Sequence, residues 1–238
     1  MKNLWNDNEA KQQQDTLTER VYSSRLLGAN PDLVLHGGGN TSVKGEWQDI
    51  FGEQVATLYV KGSGSDLATI EQKDFVPVRM DAMLKLAALD QLSDMDMARE
   101  LKLASLDPNS PAPSVEAILH ALIPHRFVDH THADAIIAVT NTANGEARIR
   151  EIYGDDVIVL PYVMPGFDLA KLCAEVFPKQ ATERTIGMVL MNHGIFSFGD
   201  TAKESYDRMI ELVGRADAYL EKNAPLAAVA EIEPKADW

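Results

Sequence analysis

The chain has 238 residues, 45 % of them hydrophobic and 24 % charged, enough for one large or two small domains with a substantial core. A formal charge of -14 argues against a general nucleic-acid binder and against adhesion to anionic membrane, so an anionic ligand must be met by local dipoles, backbone amides or a metal. The single Cys173 excludes an internal disulfide framework and fits a reducing cytoplasm, the polar start is no signal peptide, and no stretch reaches the ~20 apolar residues of a membrane span.

Taken in order, residues 1–15 are polar and read as a flexible arm. Leu17, Val21 and Leu26 predict an amphipathic helix from Thr16 to Leu27, stopped by Gly28. After Pro31, Asp32–Leu35 reads as a strand that runs into the glycine-rich stretch His36 to Val43. Thr57–Val60 is a second β-rich run, and it empties into Lys61-Gly62-Ser63-Gly64. A strand at Phe75–Arg79 and helices at Asp81–Leu89 and Asp94–Leu106 follow. Three prolines between Asp107 and Pro113 exclude helix and sheet. Ser114 is placed to cap a helix from Val115 to Ile123, with Glu116 in its first turn. Beyond the segment Asp129–Asp134 come a helix (Gly145–Tyr153), a strand (Val157–Tyr162) and another helix (Asp168–Phe177). The apolar run Gly187–Phe198 has His193-Gly194 as a hairpin turn or bulge between two strands, and a long helix starts at Ala202 and ends near Lys222. Residues 16–223 then form the folded domain, and 224–238 have the composition of a linker. Strands and helices intermix without strict alternation. This predicts an α/β fold with a mixed, largely antiparallel sheet and helices on its faces.

His130 and His132 alternate about one residue, and on a strand such side chains share a face roughly 6–7 Å apart. They can therefore reach one metal ion, with His193 as a third donor; zinc at a working site commonly takes three protein ligands and leaves a fourth position open. Ordinary histidines at strand ends would explain a bare pair equally well. The stretch His36–Ser42 lacks the Gly-Lys-Ser/Thr ending of a nucleotide P-loop and does not open a helix. Glycines with Asn40, Thr41 and Ser42 beside them, and Gly62-Ser63-Gly64-Ser65 likewise, can still offer backbone N–H groups to an anion. Glu116 has two readings. The helix dipole favours a carboxylate in a first turn, and a carboxylate aimed into a metal pocket can carry a proton. His120, one turn on, either shares that face or packs; His36 and His125 read as structural.

Five short motifs occur in order: Gly39-Asn40-Thr41-Ser42, Lys61-Gly62-Ser63-Gly64, Pro113-Ser114-Val115-Glu116, His130-Thr131-His132-Ala133 and Asn192-His193-Gly194. In this series the chain resembles the class II aldolase/adducin family, from about Thr16 to Tyr219. The wording around Leu35–Asn40 and Asp129–His132 is most similar to the rhamnulose-1-phosphate-aldolase-like part of bifunctional proteins that also carry a short-chain dehydrogenase. The resemblance implies a three-layer α/β/α fold and a cytoplasmic homotetramer with active sites shared between neighbours. It also implies a metal-dependent lyase that cleaves a ketose 1-phosphate such as rhamnulose 1-phosphate, with zinc or another divalent ion on His130, His132 and His193. Glu116 is then the catalytic acid/base, Tyr153 the residue serving the aldehyde oxygen, and Gly39, Asn40, Ser63, Gly64 and Ser114 the phosphate- and substrate-binding positions. Val115 stands where the family's phosphate-binding aldolases carry a second serine. On the same scaffold a pentulose-phosphate 4-epimerase, a dehydratase or decarboxylase, and a non-catalytic interaction module are the competing expectations.

Overall fold

The computed structural model describes residues 1–224, so the linker-like tail read at 224–238 lies, beyond Ala224, outside the described residues. A short helix α1 (Asp7–Ala10) precedes α2 (Thr16–Gly28), whose start is fixed by a reciprocal pair: the Asp15 carboxylate accepts from the Thr18 N–H, and the Thr18 hydroxyl accepts from the Asp15 N–H. Then come β1 (Asn40–Gln48), β2 (Gln54–Lys61), β3 (Phe75–Arg79), α3 (Met80–Ala87), α4 (Asp94–Leu103), α5 (Ala117–Leu122) and β4 (Phe127–Thr131). The second half comprises α6 (Asp134–Thr140), α7 (Gly145–Tyr153), β5 (Val157–Leu160), α8 (Phe167–Gln180), β6 (Gly187–Leu190), β7 (Gly194–Gly199) and α9 (Ala202–Asn223).

The strands form one sheet in the order β3-β2-β1-β4-β7-β6-β5, antiparallel throughout except for the β5–β6 pair. Helices α3, α4, α5 and α8 bury one face over Leu58, Val60, Val128 and Phe196. On the other face α2, α6, α7 and α9 close over Val159, Val189 and Ile195. The three-layer α/β/α architecture expected from the sequence is therefore present.

Two readings need correction. Asp32–Leu35 is a turn, not a strand: the Asn30 carbonyl accepts from both the Leu33 and Val34 N–H groups, and the Asn30 side chain accepts from Asp32. Its adjacent residues Leu33 and Val34 are both buried, in different clusters. The opening residues are also laid against the domain rather than hanging as a loose arm. Trp5 packs on Tyr22 and Tyr206, the Leu4 N–H donates to the Tyr206 hydroxyl at 3.0 Å, and Asn3 donates to Asp207 at 2.7 Å.

Central strand β4 carries a charge on one face. Asp129 meets Arg20 of α2 at 2.6 Å with both side chains fully buried, and Ser205 of α9 donates to the second carboxylate oxygen at 2.5 Å. Burial lowers the Arg20 pKa from its ordinary value, and the Asp129 carboxylate opposes that shift. On the opposite side of the sheet Lys44 of β1 reaches the end of α5. Its ammonium donates to the carbonyls of His120, Ile123 and His125 at 3.0, 2.6 and 2.6 Å, although burial lowers its pKa to about 8. Three donors thus match three otherwise orphaned carbonyls at a helix C-terminus.

Removing one member of a buried ion pair strands the other charge, at a cost of about 3–5 kcal/mol. Arg20→Leu is expected to lose stability in that range in urea denaturation. The double variant Arg20→Leu/Asp129→Leu should lose clearly less.

Candidate active site

The site gathers at one end of the sheet, where β1 begins, β2 and β4 end, and β6 turns into β7. Strand alternation puts His130 on the same face as Val128 and opposite Asp129. Its ring stacks on Phe196 of β7 at 4.2 Å between centroids, and its Nδ1 lies 3.1 Å from the Ile195 carbonyl. A carbonyl can only accept, so Nδ1 carries the proton and Nε2 is left with a free lone pair. That buried Nε2 has no hydrogen-bond partner. His132 follows just past the strand end. His193 is delivered by the β6–β7 turn, where Asn192 takes a positive φ of 59° and is tied by its amide to Asn141 at 2.5 Å. Asparagine tolerates that left-handed backbone better than most residues.

The three rings stand 4.9, 5.0 and 5.0 Å apart, and one nitrogen from each lies within 4.8 Å of the others. Two glycines permit this arrangement. A Cβ on Gly39, whose φ is +60°, would stand 2.7 Å from the His130 carbonyl, and one on Gly194 would stand 2.3 Å from the Thr131 carbonyl. Burial lowers the pKa of all three histidines from its ordinary value, His130 most strongly, so the rings are neutral and fit for metal ligation. The chemistry of the donor set and the orphaned His130 nitrogen both fit a divalent ion.

Glu116 does not sit in the first turn of α5. It holds the position before it, at φ -91° and ψ 9°, and makes no side-chain capping bond. The carboxylate therefore does not serve the helix as a cap. The carboxylate turns inward instead, 3.4 Å from His130 Nε2 and 3.6 Å from His193 Nε2, and accepts from the Asn40 amide at 2.6 Å. Burial pushes its pKa above the usual carboxylate value, while His193, the Asn40 N–H and Lys61 pull the other way. Ser114 supports this bend: its hydroxyl accepts from the Glu116 N–H at 3.3 Å and its carbonyl from Ala117 at 3.0 Å.

A cavity of about 220 Å³ opens over the carboxylate and is lined by Gly39, Asn40, Lys61, Ser63, Gly64, Ser114, Val115, His132 and His193 among others. The expected backbone cradle is only partly there. Within the second turn the N–H groups of Gly62, Ser63 and Ser65 bond to the carbonyls of Asp74, Ala112 and Gly62. Side chains stand beside what is left of it: the exposed Ser63, the Ser114 hydroxyl and, above all, Lys61. The residue is 3 % exposed, and its ammonium donates to the Gly37 carbonyl at 3.0 Å and bridges the two glycine turns. Lys61 is not among the phosphate- and substrate-binding positions expected from the sequence. A lysine closing a strand ahead of a glycine turn in so acidic a chain was the available signal.

Tyr153 is not in the site. It is 1 % exposed within the cluster under α7 and α9, and its hydroxyl donates to the Leu212 carbonyl at 2.7 Å. A phenol so buried and bonded, its pKa raised by burial, cannot serve a substrate in this chain or in a neighbour. The motif order placed it by proximity in sequence alone.

Residues 18–220 match the model for the class II aldolase and adducin N-terminal domain. The chain belongs to the class II aldolase and adducin family. Its fold superposes on the N-terminal class II aldolase domain of a conserved Thermoplasma acidophilum protein with a TM-score of 0.85 and 44 % identity, covering 92 % of this chain and 99 % of that one. It is 37 % identical over 221 residues to the Bacillus subtilis protein named uncharacterized oxidoreductase YuxG, covering 92 % of this chain but 32 % of that relative. The chain thus spans about a third of the length of the curated relative it matches. The L-fuculose-1-phosphate aldolase of Thermus thermophilus shares the fold, at 18 % identity and a TM-score of 0.54 over 85 % of this chain and 95 % of that one. Among the described residues no helix is long and apolar enough to cross a membrane.

Loaded with Zn2+ and then dialysed, the protein is expected to retain about one ion per chain by elemental analysis, the stoichiometry of a three-ligand site. His132→Ala should lose most of it without a drop in the melting point of the metal-free protein. Gly194→Ala should lose both, because its new methyl group displaces the strand end.

Proposed function

We propose that this family member is a metal-dependent aldehyde-lyase, a class II aldolase that reversibly cleaves a ketose 1-phosphate such as rhamnulose 1-phosphate to dihydroxyacetone phosphate and lactaldehyde. The observation that carries the reading is the convergence of three neutral imidazoles on a buried carboxylate that spends itself on no helix cap. Zinc or another divalent ion held by His130, His132 and His193 would supply Lewis-acid polarisation of the ketone and hydroxyl oxygens.

The chain's own residues do the rest. Glu116, its pKa raised by burial, is suited to take a proton from carbon and to return it, because raising a carboxylate's pKa makes it a better base. Lys61, with Ser63, Ser114 and the turns at Gly39 and Gly64, offers one buried cation and several donors to the phosphate. Asn40 serves the carboxylate rather than the phosphate, since its amide nitrogen is already turned to Glu116.

The length of YuxG and the oxidoreductase in its name support a chain that works beside a short-chain dehydrogenase domain. Resemblance to the family supports a cytoplasmic homotetramer with sites at the subunit contacts. One observation favours a second reading. Val115 lines the cavity at 45 % exposure and brings an apolar wall where a serine hydroxyl would help hold phosphate. A pentulose-phosphate 4-epimerase or another enzyme of the same carbanion chemistry would share every other feature. An interaction module without catalysis would have no use for the histidine convergence.

Incubation of the zinc-loaded protein with rhamnulose 1-phosphate should release dihydroxyacetone phosphate in a coupled assay; an isomeric sugar phosphate without it would instead mark the epimerase. Glu116→Gln should retain about one metal per chain and lose about 10²- to 10⁴-fold in turnover, the usual worth of a positioned acid/base. Near-normal turnover in that variant would remove Glu116 from the proton-transfer role.

A further inference from the structure

His120 is fully buried in the first layer beneath the cavity, and nothing in the proposed chemistry uses it. Its ring is nonetheless bonded at both ends. Nδ1 lies 2.7 Å from the Ser42 hydroxyl, and Nε2 is hydrogen-bonded to Asn40 Oδ1. Asn40 in turn donates through its Nδ2 to Glu116 Oε2 at 2.6 Å. Four side chains thus form one line, from Ser42 through His120 and Asn40 to the carboxylate.

The direction of that line follows from donor and acceptor bookkeeping. Glu116 accepts when ionised, so the Asn40 amide must present its nitrogen to it and its oxygen to His120. An amide oxygen cannot donate, so the proton of the imidazole sits on Nε2. Burial holds His120 well below its ordinary pKa, so the neutral ring has only that one proton and Nδ1 must accept from the Ser42 hydroxyl. Each member has one orientation that satisfies its neighbours, and reversing any of them leaves two acceptors facing each other in a dry interior.

We propose that His120 is a positioning residue: held as its Nε2–H tautomer between the Asn40 amide oxygen and the Ser42 hydroxyl, it locks the Asn40 amide and so aims the Glu116 carboxylate at the histidine cluster. The assignment deepens the reading of Glu116 as the proton carrier and rests on it. Ser42 and Asn40 project from β1 two residues apart, on the face that meets α5, so the strand itself sets the spacing of the two contacts. His120 lies one helical turn beyond Glu116, so the same short segment carries the imidazole and the carboxylate that Asn40 bridges.

Two readouts need no turnover. Imidazole 15N–1H spectra of the metal-free and zinc-loaded protein should show His120 as the Nε2–H tautomer; an Nδ1–H or doubly protonated ring would overturn the proposal. The Asn40 side-chain amide protons should exchange slowly in the wild type and fast in His120→Leu, and equal rates in the two would overturn it as well. A third readout concerns catalysis. His120→Leu, with metal content unchanged, should lower kcat about 10- to 100-fold with little effect on KM, as loss of an orienting partner does. His120→Gln, whose carboxamide can donate to Asn40 and accept from Ser42, should recover most of that loss. A Gln variant as impaired as Leu, in a protein that melts normally, would reduce His120 to packing. Should the wild-type protein cleave no sugar phosphate, the lyase reading fails, and the tautomer and exchange measurements still decide the positioning role on their own.

Discussion

The structure depends on the two-faced character of β4. Asp129 points to one side of the sheet into a buried pair with Arg20, and His130 points to the other into the histidine cluster. A slip of one residue would exchange them, leaving Arg20 without its counter-charge and the cluster without its most buried ring. A neutral core could tolerate such a shift at modest cost. A buried guanidinium cannot, because an unpaired charge in the interior costs several kcal/mol. The ion pair on the far side is therefore what holds the histidine spacing on the near side.

The electrostatics of the cavity invert those of the whole chain. The protein is strongly acidic, yet among the described residues lining the cavity Glu116 is the only carboxylate and it faces one ammonium and neutral imidazoles. The cavity's positive charge comes from a local arrangement, Lys61 between two glycine turns, that net charge does not reveal. The same burial that keeps the imidazoles neutral raises the carboxylate toward protonation. Exclusion of water does both without any special partner.

Much of this was legible in the residues. The two-residue histidine spacing, the hairpin carrying His193 and the intermixed strands and helices led to the right sheet and to three histidines that the fold does bring together. Other features were hidden for identifiable reasons. Asp32–Leu35 is apolar enough for a strand, but the preceding Asn30 gathers its N–H groups into a turn. Tyr153 was assigned by its place along the chain, and only the third dimension shows its hydroxyl spent on Leu212. The glycine turns promised free backbone donors, whereas packing against Asp74 and Ala112 consumes several of them. His120 was undecided because a histidine one helical turn from a carboxylate reads the same whether it packs or orients. Its partners, Asn40 and Ser42, lie some 80 residues away by sequence separations of 80 and 78.

Helix α5 has six residues, too few to hold its shape alone in water. Strand β1 supplies what it lacks through every second side chain: Asn40 and Ser42 grip His120, and Lys44 closes the far end on three carbonyls. The segment is in effect a rider on the sheet, with no independent melting of its own. On warming, the carboxylate should then keep its aim until the strands themselves part, so that loss of catalytic geometry and loss of the fold become one event rather than two.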